Sequence, residues 1–136
     1  MNDLDFNASA CRGRQQRLLA EMQSLKLDLV IVQQIEHVQW LTGARFPWTM
    51  SPAAALRSDG HLTLLAPVKP TLEAAADNVA FYEAQWHSTL RNDQREACSI
   101  ELLKALTNKA GLRRLGVEFS SFTSHLAALP GERVDI

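Results

Sequence analysis

The sequence predicts an α/β fold: a single domain with a mixed sheet between helical layers, a three-layer sandwich. Three observations carry that expectation. Helical and extended patterns alternate along the chain. Asp28 leads into Leu29-Val30-Ile31-Val32, an uninterrupted, β-branched apolar run as in a strand buried on both faces, and an Asp59-Gly60 turn joins two further extended stretches. A chain of 136 residues fits one compact core and is short for two.

Residues 1–13 read as a polar, partly disordered leader, with a helical pattern setting in at about Ser9. Leu18, Leu19, Met22 and Leu25 then fall at i, i+1, i+4 and i+7. They make one apolar stripe, and Arg14, Gln15, Arg17, Glu21 and Gln23 cover the rest. The strand at 28–32 follows. Residues 36–41 form a short helix that Gly43 ends by supplying a left-handed residue. Residues 53–56 and 62–66 are the arms of a hairpin. Its first arm is rich in alanine, a weak strand former, so the Asp-Gly turn carries that assignment. Pro67 and Pro70 end the second arm and open a short helix through 72–76.

Residues 79–83 are a further strand. Asn92 or Asp93 caps the longest helix, 94–110, in which Ala97, Ile100, Leu103, Leu106 and Ala110 share a face and Gly111 is the stop. Residues 115–118 form the last strand. Ser120 or Ser121 caps a closing helix with Leu126 and Leu129, ended by Pro130-Gly131. The domain therefore spans residues 14–131, and 132–136 begin a connection to a further domain.

Composition excludes several function classes. Lys plus Arg number 14 and Asp plus Glu 15, a balance that offers no electrostatic footprint for nucleic acid or anionic lipid. No apolar run approaches the ~20 residues a bilayer span requires. The N-terminus lacks a basic stretch followed by an apolar one, so a cytoplasmic location is expected. Cys11 and Cys98 read as two free thiols rather than a disulfide. Cys98 lies on a helical pattern, where a buried thiol acts as a small hydrophobe.

Chemistry-bearing motifs are sparse. His37, His61, His87 and His125 stand singly, without the i, i+4 pairing of a metal-binding helix, and read as surface or helix-end residues. There is no Gly-x-Ser-x-Gly elbow and no phosphate-binding glycine loop. Ser120, Ser121 and Ser124 read as helix-capping residues. Glu118 is the one acid near the carboxyl end of a predicted core strand, where α/β sheets often bind ligands. The plainer reading is a glutamate that is solvated or hydrogen-bonded to a neighbouring loop. No catalytic residue and no metal ligand is assigned.

One segment stands out. Arg45, Phe46, Trp48 and Met50 lie between Gly43 and Pro52, where Pro47 and Pro52 exclude regular helix and central strand. Aromatics and arginine are favoured at interfaces and ligand walls because they combine area with directed polar groups. Two readings stand side by side. The segment is a substrate-gating or interface loop, or Phe46 and Trp48 fold back onto the local core.

The order of these segments resembles the N-terminal domain shared by creatinase, prolidase and Xaa-Pro aminopeptidase (aminopeptidase P). Arg17-Leu18-Leu19 through Met22 and Leu25, leading into Leu27-Asp28-Leu29-Val30-Ile31-Val32, is similar to the family's first helix and strand. Val38-Gln39-Trp40-Leu41-Thr42-Gly43 is similar to its hydrophobic-x-Tyr-Leu-Thr-Gly motif. Gly60-His61-Leu62-Thr63-Leu64-Leu65 resembles its hairpin, Arg114-Leu115-Gly116-Val117-Glu118 its later strand, and residues 126–130 its closing helix. Trp40 stands where the family has Tyr, Ala44 where an aromatic commonly follows the glycine, and the frequent Asn before the motif is absent near Glu36.

The resemblance implies a non-catalytic domain that serves oligomerisation and substrate gating in a metal-dependent aminopeptidase or dipeptidase. Its chemistry would belong to a C-terminal catalytic domain holding two divalent metal ions through Asp, Asp, His, Glu and Glu. None of that set is matched in this sequence. The resemblance also implies a homo-oligomer, dimer or tetramer, in which Arg45 to Met50 is the loop lent to a neighbouring active site. The alternative is a peptide- or protein-binding module of a catalytically inactive relative.

Overall fold

The computed structural model describes residues 7–46, 52–66, 74–82, 91–106, 111–118 and 132–135. In chain order the elements are α1 (Ala8–Leu25), β1 (Leu29–Val32), α2 (Ile35–Thr42), β2 (Ala53–Arg57), β3 (Leu62–Ala66), β4 (Asn78–Phe81), α3 (Arg91–Ala105), β5 (Arg114–Val117) and β6 (Glu132–Asp135). The strands form one six-stranded mixed sheet in the order β4-β3-β2-β1-β5-β6. β1 pairs antiparallel with β2 and parallel with β5, β2 pairs antiparallel with β3, and the outer pairs β3–β4 and β5–β6 are parallel.

Side-chain alternation along the central strands divides the core between the two faces. Leu29 and Ile31 of β1, Ala53 and Ala55 of β2 and Leu65 of β3 meet Cys98, Leu102 and Leu106 from α3 and its end. Val30 and Val32, Ala54 and Leu56, and Leu62 and Leu64 point the other way, onto Leu19 and Met22 of α1 and Val38 and Leu41 of α2. This is the three-layer sandwich predicted from the sequence. The alanines of β2 are strand because the sheet surrounds them, with β1 on one side and β3 on the other. Strand propensity spans only about 1 kcal/mol, whereas fully burying one neighbour such as Leu56 or Leu62 contributes about 1.5–3 kcal/mol.

Local chemistry fixes the ends of these elements. α1 starts at Ala8, where the Asn7 carboxamide accepts the Ala10 N–H at 3.0 Å, so residues 8–13 of the expected leader are helix. It ends at Lys26, which takes the left-handed conformation (φ 58°) and lets Leu27 turn into the core. That turn leaves Leu25 exposed, against its expected place on the apolar stripe. The buried stripe is instead Cys11, Gln15, Leu19 and Met22. Asp28 fastens the start of β1 to β5, its carboxylate accepting the N–H groups of Arg113 and Arg114 at 2.8 and 3.0 Å. In the β2–β3 turn Gly60 takes φ 94°, a conformation that favours glycine, and the Asp59 carboxylate accepts the His61 N–H at 2.9 Å.

Four sequence expectations differ from the structure. Residues 74–76 are not helical; they run alongside the end of α2, with Ala75 N–H donating to Thr42 O at 2.8 Å. α3 begins before Asn92 and Asp93, which lie inside it rather than capping it, and it ends at Ala105. Its core side is Cys98, Leu102 and Leu106, so Ile100 is exposed and Leu103 only partly buried. Glu132–Asp135, read as the start of a connection, pairs with β5 as β6, and Val134 packs on the α1–α2 core. The expected closing helix lies outside the described residues. Cys11 and Cys98 are both free and buried; burial raises both thiol pKa values, for Cys11 against the pull of Arg14 and Arg12.

Asp77 joins the approach to β4 to both β3 and α1. Its carboxylate accepts the Leu62 N–H at 2.8 Å and pairs with Arg12 at 3.3 Å. Partial burial raises its pKa, but the Leu62 N–H, Arg12 and His61 outweigh that and hold it below its ordinary value of 3.8. A carboxyl lowered on folding stabilises above its unfolded pKa, and that contribution is lost as pH falls through the folded value. Asp77→Asn is therefore expected to lower the thermal midpoint at pH 7 by about 2 °C. Midpoints measured across pH should show the gap to the native protein closing in acid, below that ordinary value of 3.8.

Candidate functional site

The segment after Gly43 takes its position from α2, and α2 is held at both ends by side chains from elsewhere in the fold. A helix C-terminus leaves its last four carbonyls without partners inside the helix. Here each is satisfied. Gly43, left-handed at φ 77°, donates its N–H to Gln39 O at 2.7 Å. Arg14 Nη1 donates to Trp40 O at 3.0 Å, and Gln15 Nε2 to Leu41 O at 3.1 Å. Ala75 N–H completes Thr42 O. Gln15 is only 2% exposed; its Nε2 also donates to Ala75 O at 2.8 Å, while its Oε1 accepts from Arg12 at 2.9 Å. One buried amide thus ties α1, α2 and residues 74–76 together.

Thr42 continues the anchoring. Its hydroxyl donates to Val38 O at 2.7 Å and accepts the Ala44 N–H at 3.2 Å. Ala44 is 1% exposed within the α1–α2 core. From this fixed root the chain reaches Arg45 and Phe46, both half-buried, with Phe46 packed against that core. Among the described residues no carboxylate pairs with Arg45. Trp48 and Met50 lie outside the described residues. The adjoining outer face of α2 carries Trp40, 48% exposed, with the Arg14 guanidinium 5.7 Å from its ring centroid.

The other end of α2 is capped by Glu118. Gln34, the residue before the helix, caps nothing with its own side chain. The Glu118 carboxylate, arriving from the end of β5, accepts the N–H groups of Gln33 and Gln34, the latter at 2.9 Å, and contacts His37 Nδ1. Glu118 is buried while His37 is largely exposed. A buried charge is costly unless paired and hydrogen-bonded, and these three donors supply that compensation where the helix dipole also favours an anion. Of the two plainer readings of Glu118, solvated or hydrogen-bonded to a neighbouring loop, the second is the observed one. A carboxylate can only accept, so Nδ1 is the His37 nitrogen that donates to Glu118.

The remaining candidates do not converge. His61 is exposed in the β2–β3 turn, and His87 and His125 lie outside the described residues. Among the described residues no three His, Cys, Asp or Glu side chains gather as a metal ion requires. None of the described helices is long and apolar enough to cross a membrane.

The amino-acid sequence matches the Creatinase/Prolidase N-terminal domain over residues 14–133. The chain belongs to that family. No curated protein sequence matches it, whereas many solved structures share the fold. A proline dipeptidase structure from Streptococcus pneumoniae superposes with TM-score 0.62 at 17% identity, covering 89% of each chain. The N-terminal domain of the cytoplasmic peptidase PepQ from Mycobacterium tuberculosis superposes with TM-score 0.58 at 18% identity, over 91% of this chain and 92% of that one. The prolidase from Pyrococcus horikoshii gives TM-score 0.65 at 16% identity, and there this creatinase/prolidase-type domain spans 32% of the longer chain. At such identities the superpositions establish the fold alone.

The sequence pointed to Arg45 and Phe46 but not to what anchors them. The stripe of Leu18, Leu19, Met22 and Leu25 puts Gln15 on the solvent side, although Cys11, Gln15, Leu19 and Met22 fall at i, i+4, i+8 and i+11, the spacing of a buried stripe. Extending the helical pattern N-terminally past Arg14 would have placed a polar residue in the core and asked what it bonds.

Proposed function

We propose that this domain shapes substrate access, and assists assembly, for a catalytic domain elsewhere in a prolidase-like, Xaa-Pro-directed metallopeptidase. The segment from Arg45 to Met50 is the gating or interface loop. Arg45 meets a substrate carboxylate or a partner acid, while Phe46 and Trp48 wall the pocket or pack between subunits. The two divalent metal ions belong to the catalytic domain, and the protein acts in the cytoplasm as a dimer or tetramer. The observation that carries this reading is the double anchoring of α2, which launches Arg45 and Phe46 from a fixed root. A loop fixed at its base can discriminate substrates at little entropic cost.

The test replaces Arg45 and Phe46 with alanine in the full-length protein. The expected result is a KM for Xaa-Pro dipeptides raised about tenfold with kcat within about twofold, the signature of lost binding rather than lost chemistry. Unchanged KM together with unchanged oligomer size would overturn the reading. A downstream domain without the metal-binding residues would instead favour a peptide-binding module.

A further inference from the structure

We propose that Gln15, on α1 and remote in sequence from the loop, is a positioning residue for Arg45 and Phe46. The inference rests on the gating reading and adds the residue that sets the geometry of that site. Gln15 is a long polar side chain in an otherwise apolar stripe, 2% exposed. Burial of an amide is tolerated only when its donors and acceptor are satisfied. Both Nε2 donors are used, on Leu41 O and Ala75 O, and Arg12 fixes the orientation by donating to Oε1.

The two carbonyls it joins belong to the segments that border the loop root. Leu41 O is in the last turn of α2, three residues before Ala44, and Ala75 itself donates to Thr42 O. An apolar residue of the same length would fill the space yet leave both carbonyls without donors. The last turn of α2 and residues 74–76 would then separate to admit water or rotate to find other partners. Either movement displaces the chain where it leaves Thr42 for Arg45. The core itself does not need the amide, because Leu19, Met22, Val38 and Leu41 already close that face. Gln15 therefore sets loop position more than it sets the fold.

The experiment measures KM and kcat for an Xaa-Pro dipeptide in the full-length protein. Its variants are Gln15→Met, Arg45→Ala, the double variant, and the control Leu102→Ala, which opens a cavity on the opposite face of the sheet. Gln15→Met is expected to raise KM about fivefold with kcat within about twofold, and to raise it by clearly less than that in the Arg45→Ala background, where only Phe46 is left to be displaced. Leu102→Ala is expected to lower the thermal midpoint at least as much while leaving KM unaltered. Arg12→Ala, a substitution at a half-exposed residue that releases the amide Oε1, should raise KM about twofold. It keeps the proposal testable should Gln15→Met fail to fold.

If Arg45→Ala raises KM but neither Gln15→Met nor Arg12→Ala does, the positioning role is wrong and the gating reading stands. Effects of Gln15→Met and Arg45→Ala that simply multiply would also overturn it. If Arg45→Ala has no effect on KM, the gating reading fails and takes this inference with it.

Discussion

Glu118→Ala is expected to destabilise the domain by about 3 kcal/mol, visible as a thermal midpoint lower by ~10 °C. The carboxylate is 5% exposed and accepts from Gln33 N–H, Gln34 N–H and His37 Nδ1. Its removal leaves two backbone donors without partners at the start of α2 and a cavity at the end of β5. Glu118→Gln separates these effects. The carboxamide oxygen can still accept both N–H groups, but its NH2 then faces His37 Nδ1, so the imidazole must move its proton to Nε2 to accept. We expect the glutamine variant to lose about a third of what alanine loses. Urea denaturation of the three proteins measures both steps; equal losses for Gln and Ala would show that charge, rather than hydrogen bonding, holds the helix start.

How legible this was in the sequence differs from element to element. β1 is readable because four consecutive apolar positions leave no solvent face, and the β2–β3 hairpin because Asp59-Gly60 readily takes the positive-φ turn that antiparallel neighbours need. Both signals are local. The face of α3 was misassigned because Cys98 and Ser99 carry little hydrophobic signal, although Cys98 and Leu102 fall on the side that meets Leu29 and Leu65. β6 was missed because Glu132, Arg133 and Asp135 read as polar linker. At the edge of the sheet Val134 packs on the α1–α2 core while Glu132 is exposed, and charged residues on an edge strand guard it against pairing with other chains.

The candidate site was half legible for the same reason. Arg45 and Phe46 declare themselves by composition between two prolines. Their supports do not, because each bond crosses a long stretch of chain: Gln15 to Leu41, Gln15 to Ala75, Gln34 to Glu118. No pattern within one element reports such a pairing. Only the sheet order, which brings β5 beside β1, makes Glu118 a neighbour of the α2 N-terminus.

The largest expected effect concerns activity. Residues 1–136 alone should not hydrolyse an Xaa-Pro dipeptide, whereas the full-length protein should. Peptide hydrolysis by a metal needs several convergent ligands and an open coordination position. Among the described residues no three ligand-type side chains meet, and the Glu118 carboxylate, the most deeply buried acid among them, is already occupied in capping α2. On the proposed reading these residues supply placement: a helix secured at both ends, followed directly by Arg45 and Phe46. The decisive measurement is dipeptide turnover by the isolated chain and by the full-length protein, each supplied with divalent metal. Hydrolysis by the full-length protein alone is the result this account predicts; metal-dependent turnover by residues 1–136 would contradict it.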